Sequence, residues 1–151
     1  MKRLLLTMVV SVFYLLGTAQ ALKPVKWSYE VKPAGKGVYT LVFTATIAPT
    51  WHTYSQFLAD GGPVPTSITF DKDNKDATPN GRAQENGAKV HDGYDPVFDM
   101  NLKYFEEKMV MEQKVTVTKS TKLKVTVESM ACDDHQCLPP EQTVFEIELK
   151  Y

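Results

Sequence analysis

The chain has 151 residues, with 17 lysines and arginines against 18 aspartates and glutamates, and a formal net charge of −1. That balance supplies no basic surface for a nucleic acid. With 43% apolar residues, the chain is long enough for one domain with a real core but not for several.

In chain order, residues 1 to 21 run from Lys2-Arg3 through an apolar stretch, Leu4 to Leu16, to "GTAQA", which ends in a small-x-small cleavage pattern. This is the pattern of a secretory signal peptide. The apolar run is too short for a membrane span, and no cysteine stands at the cleavage point to carry a lipid. The mature domain is therefore expected to cover residues 22 to 151, soluble and without stable membrane insertion. Losing Lys2 and Arg3 leaves 15 basic residues against 18 acidic ones, a net charge of −3. Outside the cytosol, cysteines close in sequence meet oxidising conditions.

From there the chain reads as strands. "VKWSYEVK" (25 to 32) is the first, followed by "GVYTLVFTATI" (37 to 47), which puts Leu41, Phe43, Ala45 and Ile47 on one face and Thr40, Val42, Thr44 and Thr46 on the other. "WHTYSQF" (51 to 57) and "TSITF" (66 to 70) continue the pattern, with "LADGGPVP" (58 to 65) between them as a surface loop. The stretch from Asp71 to Asp99 is glycine- and proline-containing and is expected to be a second long surface loop. Within it, "DKDNKD" (71 to 76) has Lys75 and Asp76 where a calcium loop needs a ligand and a glycine, so a solvated turn is expected. Phe98, Tyr104 and Phe105 in "VFDMNLKYF" are strand and core candidates, and Trp27 and Trp51 are expected in core packing.

The last strands are "MVMEQKVTVT" (109 to 118), "KLKVTVESMA" (122 to 131) with Leu123, Val125 and Val127 inward, and "TVFEIELKY" (143 to 151) with Phe145, Ile147 and Leu149 inward. No window carries a sustained helical stripe. Six or seven short strands in about 130 residues favour an all-β, immunoglobulin-like antiparallel sandwich.

The only two cysteines fall in "CDDHQCLPP", on the connection of the hairpin between the last two strands. Three readings of Cys132 and Cys137 compete. As a structural staple, a bridge closing about six residues contributes only about 2 kcal/mol by chain entropy, against nearly 5 for a loop of about 100. As a copper or zinc site, Cys132, His135 and Cys137 supply two sulfurs and a nitrogen, with His52, His91 or an aspartate needed as the fourth ligand. As a redox-active pair, they sit on an exposed loop open to attack, in a bridge that can open without unfolding the domain. Asp133 and Asp134 place negative charge nearer Cys132, which makes Cys137 the better thiolate. His135 either favours a thiolate or is a solvated loop residue. Pro139 and Pro140 stiffen the loop exit.

"CDDHQCLPPEQTVF", with the upstream "WHTYSQ", "GGPVPTSITF" and "FDMNLKYF", resembles the N-terminal domain of the thiol:disulfide interchange protein DsbD over about Pro24 to Leu149. The resemblance implies an immunoglobulin-like periplasmic domain that uses no cofactor or metal. It takes electrons from a membrane-embedded thiol reductase and passes them to thioredoxin-fold proteins, some serving cytochrome c maturation. It also implies Cys137 as the cysteine that joins partners and an aromatic cap over the disulfide, for which Phe98 is the first candidate and Tyr94 the second, with Tyr54 lining the site. This chain departs from the family by spacing its cysteines with four residues, Asp133 to Gln136, where well-known members have five. If the chain is complete, the membrane and thioredoxin-like domains come from separate proteins.

Overall fold

The computed structural model describes residues 22 to 151; the signal-peptide reading falls on residues outside that range. Twelve strands follow in order: β1 (Val25–Gly35), β2 (Val38–Ile47), β3 (His52–Tyr54), β4 (Ser67–Phe70), β5 (Ala77–Pro79), β6 (Gln84–Gly87), β7 (Val90–Asp95), β8 (Met100–Glu106), β9 (Lys108–Val117), β10 (Thr121–Ser129), β11 (Ala131–Cys132) and β12 (Glu141–Leu149). Every pairing is antiparallel.

The period-2 pattern dictates the sandwich. Strands β1-β2-β9-β5, with β6 also on β9, form one sheet, and β12-β10-β4 form a second. Leu41, Phe43 and Ala45 of β2 and Met109, Met111 and Val115 of β9 meet Leu123, Val125 and Val127 of β10 and Ile147 and Leu149 of β12 in one buried cluster. Each is a residue that alternation places inward. Phe145 and Trp27 are partly buried against this cluster, and Trp51 is buried within it. Trp27 Nε1–H donates to Ser129 Oγ at 2.9 Å. This is an immunoglobulin-like all-β sandwich.

A third sheet, β11-β3-β8-β7, carries what the sequence pattern does not reveal. The run from 122 to 131, expected as one strand, divides. Residues up to Ser129 pair with β12 and β4, whereas Ala131 and Cys132 pair with Thr53 and His52 of β3. The chain changes sheets at Met130, whose carbonyl accepts the Thr53 hydroxyl at 2.9 Å and whose sulfur faces the Val64 amide at 3.4 Å.

Two further expectations are corrected. Of residues 51 to 57 only His52–Tyr54 are strand; the Ser55 amide still donates to the Lys103 carbonyl at 2.9 Å, and beyond it the Gln56 amide, with the Ser55 hydroxyl, donates to the Glu85 carboxylate at 3.0 and 2.6 Å. The stretch 71 to 99 is not a single loop, since it contains β5, β6 and β7. β5 and β6 share the free edge of β9, and between them the buried Gln113 amide donates to the Gly81 and Lys114 carbonyls at 3.2 and 2.8 Å. Gly87 lets β6 approach β9 closely, because a Cβ there would stand 2.4 Å from the Lys108 carbonyl oxygen. The expected solvated turn at 71 to 76 is present, with Asn74 Oδ1 accepting the Asp76 and Ala77 amides.

Candidate functional site

The third sheet has two faces, and register assigns its residues between them. Paired residues of an antiparallel ladder project to the same side, and neighbours along a strand to opposite sides. Ala131, Thr53 and Phe105 are in register, with Ala131 and Phe105 buried in the main core. On the other face stand Cys132, His52 and Glu106 in one row, and Tyr54, Tyr104 and His91 in the next. Here Tyr54, Leu102 and Cys132 form a small buried cluster of their own, against which Leu58, Phe98, Met100, Tyr104 and Met130 pack. The site is thus the outer face of a sheet whose inner face is anchored in the core.

Cys132 and Cys137 are joined by a disulfide. Cys132 is 2% exposed, while Cys137 is exposed. The loop between them is closed by its own first residue: one oxygen of Asp133 accepts the His135 and Gln136 amides, both at 2.8 Å, and the Asp133 amide donates to the Gln136 carbonyl at 2.9 Å. The His135 amide holds the Asp133 carboxyl below its ordinary value; desolvation opposes it, and the Gln136 amide adds a smaller lowering. Leu138 N–H donates to the Ala131 carbonyl at 2.8 Å and returns the chain toward β12.

A cleft of about 400 Å³ opens beside the disulfide, lined by both cysteines, Tyr54, Phe98 and His135, and by His52, Tyr104 and Asp95. Phe98 lies in the turn between β7 and β8, where Asp95 Oδ1 accepts the Val97 and Phe98 amides at 2.8 and 3.1 Å. That turn directs Phe98 inward onto the cysteine cluster and leaves Val97 83% exposed at the tip. Of the six residues singled out from sequence, Cys132, Cys137, Phe98, Tyr54 and His135 are therefore brought together. Tyr94 is not: it is 63% exposed, with its hydroxyl donating to the Asp99 carboxylate outside the cleft.

Tyr104, expected as a strand and core residue, and His52, considered only as a possible metal ligand, also line the cleft. The Tyr104 ring is flanked by His52, at 4.4 Å between centroids, and by His91, stacked at 4.6 Å. His52 Nε2 lies 3.0 Å from the Tyr54 hydroxyl. Burial lowers the His52 pKa from its ordinary value, opposed by Glu106 and Asp134. Desolvation, with Asp95 adding to it, pushes the Tyr54 hydroxyl up to about 12. The one available signal was the alternation of "WHTYSQ", which places His52 and Tyr54 on one face.

The metal reading finds no support in this geometry. Joined sulfurs offer no thiolates, and among the described residues no three His, Cys, Asp or Glu side chains are placed to hold an ion together. Chemically, the arrangement presents a disulfide between one exposed and one buried cysteine, beside an open cleft.

Fold and site together define an immunoglobulin-like domain that carries a disulfide at the rim of an open cleft. Residues 18–149 match the family described as "Thiol:disulfide interchange protein DsbD, N-terminal". The chain belongs to that family. No curated protein sequence matches it. Among solved structures it is similar to the N-terminal periplasmic domain of ScsB from Proteus mirabilis, with a TM-score of 0.57 and 14% identity over 85% of this chain and 47% of that one. It is also similar to the DsbD N-terminal domain of Neisseria meningitidis in the reduced form, with a TM-score of 0.53 and 16% identity over 87% of this chain and 92% of that one. The chain thus spans about half the length of the ScsB chain, and at these identities the likeness is one of fold.

Proposed function

We propose that this domain relays electrons in the periplasm by thiol–disulfide exchange, taking them from a membrane-embedded thiol reductase and delivering them to thioredoxin-fold partners through Cys132 and Cys137. The observation that carries the reading is the unequal exposure of the two cysteines, Cys132 buried and Cys137 exposed. An incoming thiolate needs a clear approach to one sulfur and a leaving group at the other. Cys137 is the residue that joins partners, and Cys132 is the one released and later re-engaged. Access supports the same order that charge along the loop suggests. Phe98 acts as the cap that shields the bridge until a partner docks, Tyr54 lines the site, and His135 stands at its solvent edge. No cofactor takes part.

Family membership supports the exchange chemistry, and the likeness to a periplasmic ScsB domain supports the compartment. The test is redox equilibration with a purified thioredoxin-fold dithiol protein, quenched by an alkylating agent and read by mass. Equilibration within minutes is expected; a bridge that stays closed while the dithiol remains reduced would return the cysteines to a structural role.

A further inference from the structure

His52 stands directly across the sheet from Cys132, in register between β3 and β11. Both side chains leave the same face, and both line the cleft. The imidazole is held there, against the Tyr54 hydroxyl at Nε2 and against the Tyr104 ring. Cys137 is exposed and can ionise against water, but Cys132 is buried among apolar and aromatic side chains. A bare thiolate is disfavoured in such surroundings. A shielded thiol that has to act as a nucleophile needs an acceptor for its proton at hand.

The geometry points to His52 as the proton acceptor for Cys132 in the step that closes the disulfide, an assignment that rests on the exchange reading above. In that step Cys137 is already joined to a partner sulfur. The Cys132 thiol gives its proton to the imidazole and its sulfur attacks Cys137 Sγ. The bond between Cys137 and the partner breaks, and the partner leaves as a thiolate carrying the electron pair. The partner is reduced and the cysteine pair oxidised. In reverse, the imidazolium returns its proton to Cys132 as the disulfide opens. In the tautomer that donates Nε2–H to the Tyr54 oxygen, Nδ1 holds the lone pair that takes the proton, and the Tyr54 hydroxyl, pushed up to about 12, stays protonated.

The groups around His52 set its working range. Tyr54 lies on its own strand, Tyr104 and Glu106 on β8, His91 on β7, and Asp133 and Asp134 on the cysteine loop. Burial lowers its pKa below 6.5; Glu106, Asp134 and Asp133 oppose the shift, while His91 adds to it. His52 is therefore neutral and proton-accepting at neutral pH. It loses that capacity as pH falls through its lowered value. Glu106 is shared, since one of its oxygens lies 3.1 Å from His91 Nε2.

The test uses the reduced protein with oxidised glutathione as the probe, acid quench, and mass spectrometry between about pH 5 and 9. Two rates are read: formation of the Cys137–glutathione mixed disulfide and its closure by Cys132. In the wild type, closure is expected to fall below pH 6.5 and to stay level above neutrality. In H52Q, closure at neutral pH should slow by about tenfold or more, so that mixed disulfide accumulates. Its closure should then climb about tenfold per pH unit, as ionisation of an unassisted thiol does. Formation should be unchanged. Wild-type closure kinetics in H52Q, or equal slowing of both steps, would overturn the assignment. Should H52Q fail to fold, the wild-type profile decides, and closure that rises steadily through neutrality with no bend below 6.5 overturns it. A wild-type protein that forms no mixed disulfide at all would remove the exchange reading itself, and this assignment with it.

Discussion

Cys132 and Cys137 share one disulfide but not one environment: Cys132 is 2% exposed in a cluster with Tyr54 and Leu102, and Cys137 faces solvent. The difference arises because Cys132 belongs to a strand, paired with His52, while Cys137 belongs to the loop that folds back over it. A symmetrical staple needs no such difference, whereas an exchanging pair uses it.

The first consequence concerns stability. The bridge closes a short loop, so reducing it should lower the unfolding free energy by only about 2 kcal/mol. The β-rich far-ultraviolet spectrum should survive. Urea unfolding of oxidised and reduced protein, compared side by side, measures this directly; loss of the fold on reduction would make the disulfide structural.

Phe98 is packed against the cysteine cluster from a solvent-exposed turn. Phe98→Ala should speed reduction of the bridge by small thiols such as dithiothreitol. The stability loss should be about 1 to 2 kcal/mol, below the 3 to 5 of a fully buried phenylalanine. An unchanged reduction rate with a severe loss of stability would make Phe98 a core residue only.

Asp133 closes the cysteine loop with a carboxylate whose pKa is lowered chiefly by the His135 amide. A lowered carboxyl stabilises its folded form above the ordinary value of 3.8 and loses that contribution as pH falls through the lower folded value. The His135 and Gln136 amide resonances should therefore shift together below pH 3.8. In Asp133→Ala that transition should be absent and the disulfide should be reduced faster at pH 7 than in the wild type. Nuclear magnetic resonance titration of the two amides checks the first part, and thiol kinetics the second.

Glu85 is the buried brace of the third sheet. Its side chain is 3% exposed, pairs with Lys103 at 3.0 Å and accepts from Ser55 and Gln56. Glu85→Ala leaves those donors and a partly buried ammonium without a partner, and should cost about 2 to 4 kcal/mol by denaturant unfolding. A loss within about 0.5 kcal/mol, typical of surface changes, would show that the brace is dispensable.

The sandwich was legible from alternation: Leu41, Phe43 and Ala45 of β2 and Leu123, Val125 and Val127 of β10 are buried as it requires, although Val42 on the opposite face of β2 is buried too. The third sheet was not legible. "KLKVTVESMA" contains no glycine or proline to mark the change of sheet at Met130, which is set by Thr53 and Val64 from other parts of the chain. β6 and β7, "QENG" and "VHDGYD", are too polar to display a period. Their pairing comes from β9 and β8, which offer open edges. The cysteine loop announced itself by composition, and family resemblance placed Phe98 near it. His52 was legible only as a possible fourth metal ligand, because the sequence of a three-residue strand does not show which residue lies across the sheet, and register alone sets it against Cys132.

The central claim is that Cys137 is the sulfur that joins partners, and single-cysteine trapping tests it most directly. Cys132→Ser and Cys137→Ser are expressed in the periplasm, free thiols are blocked with an alkylating agent, and partner-linked species are compared on non-reducing gels. The account predicts that Cys132→Ser, which keeps the exposed Cys137, accumulates a mixed disulfide with a thioredoxin-fold protein, and that Cys137→Ser, left with the shielded Cys132, traps far less. Equal trapping by both variants, or trapping by Cys137→Ser alone, would contradict it.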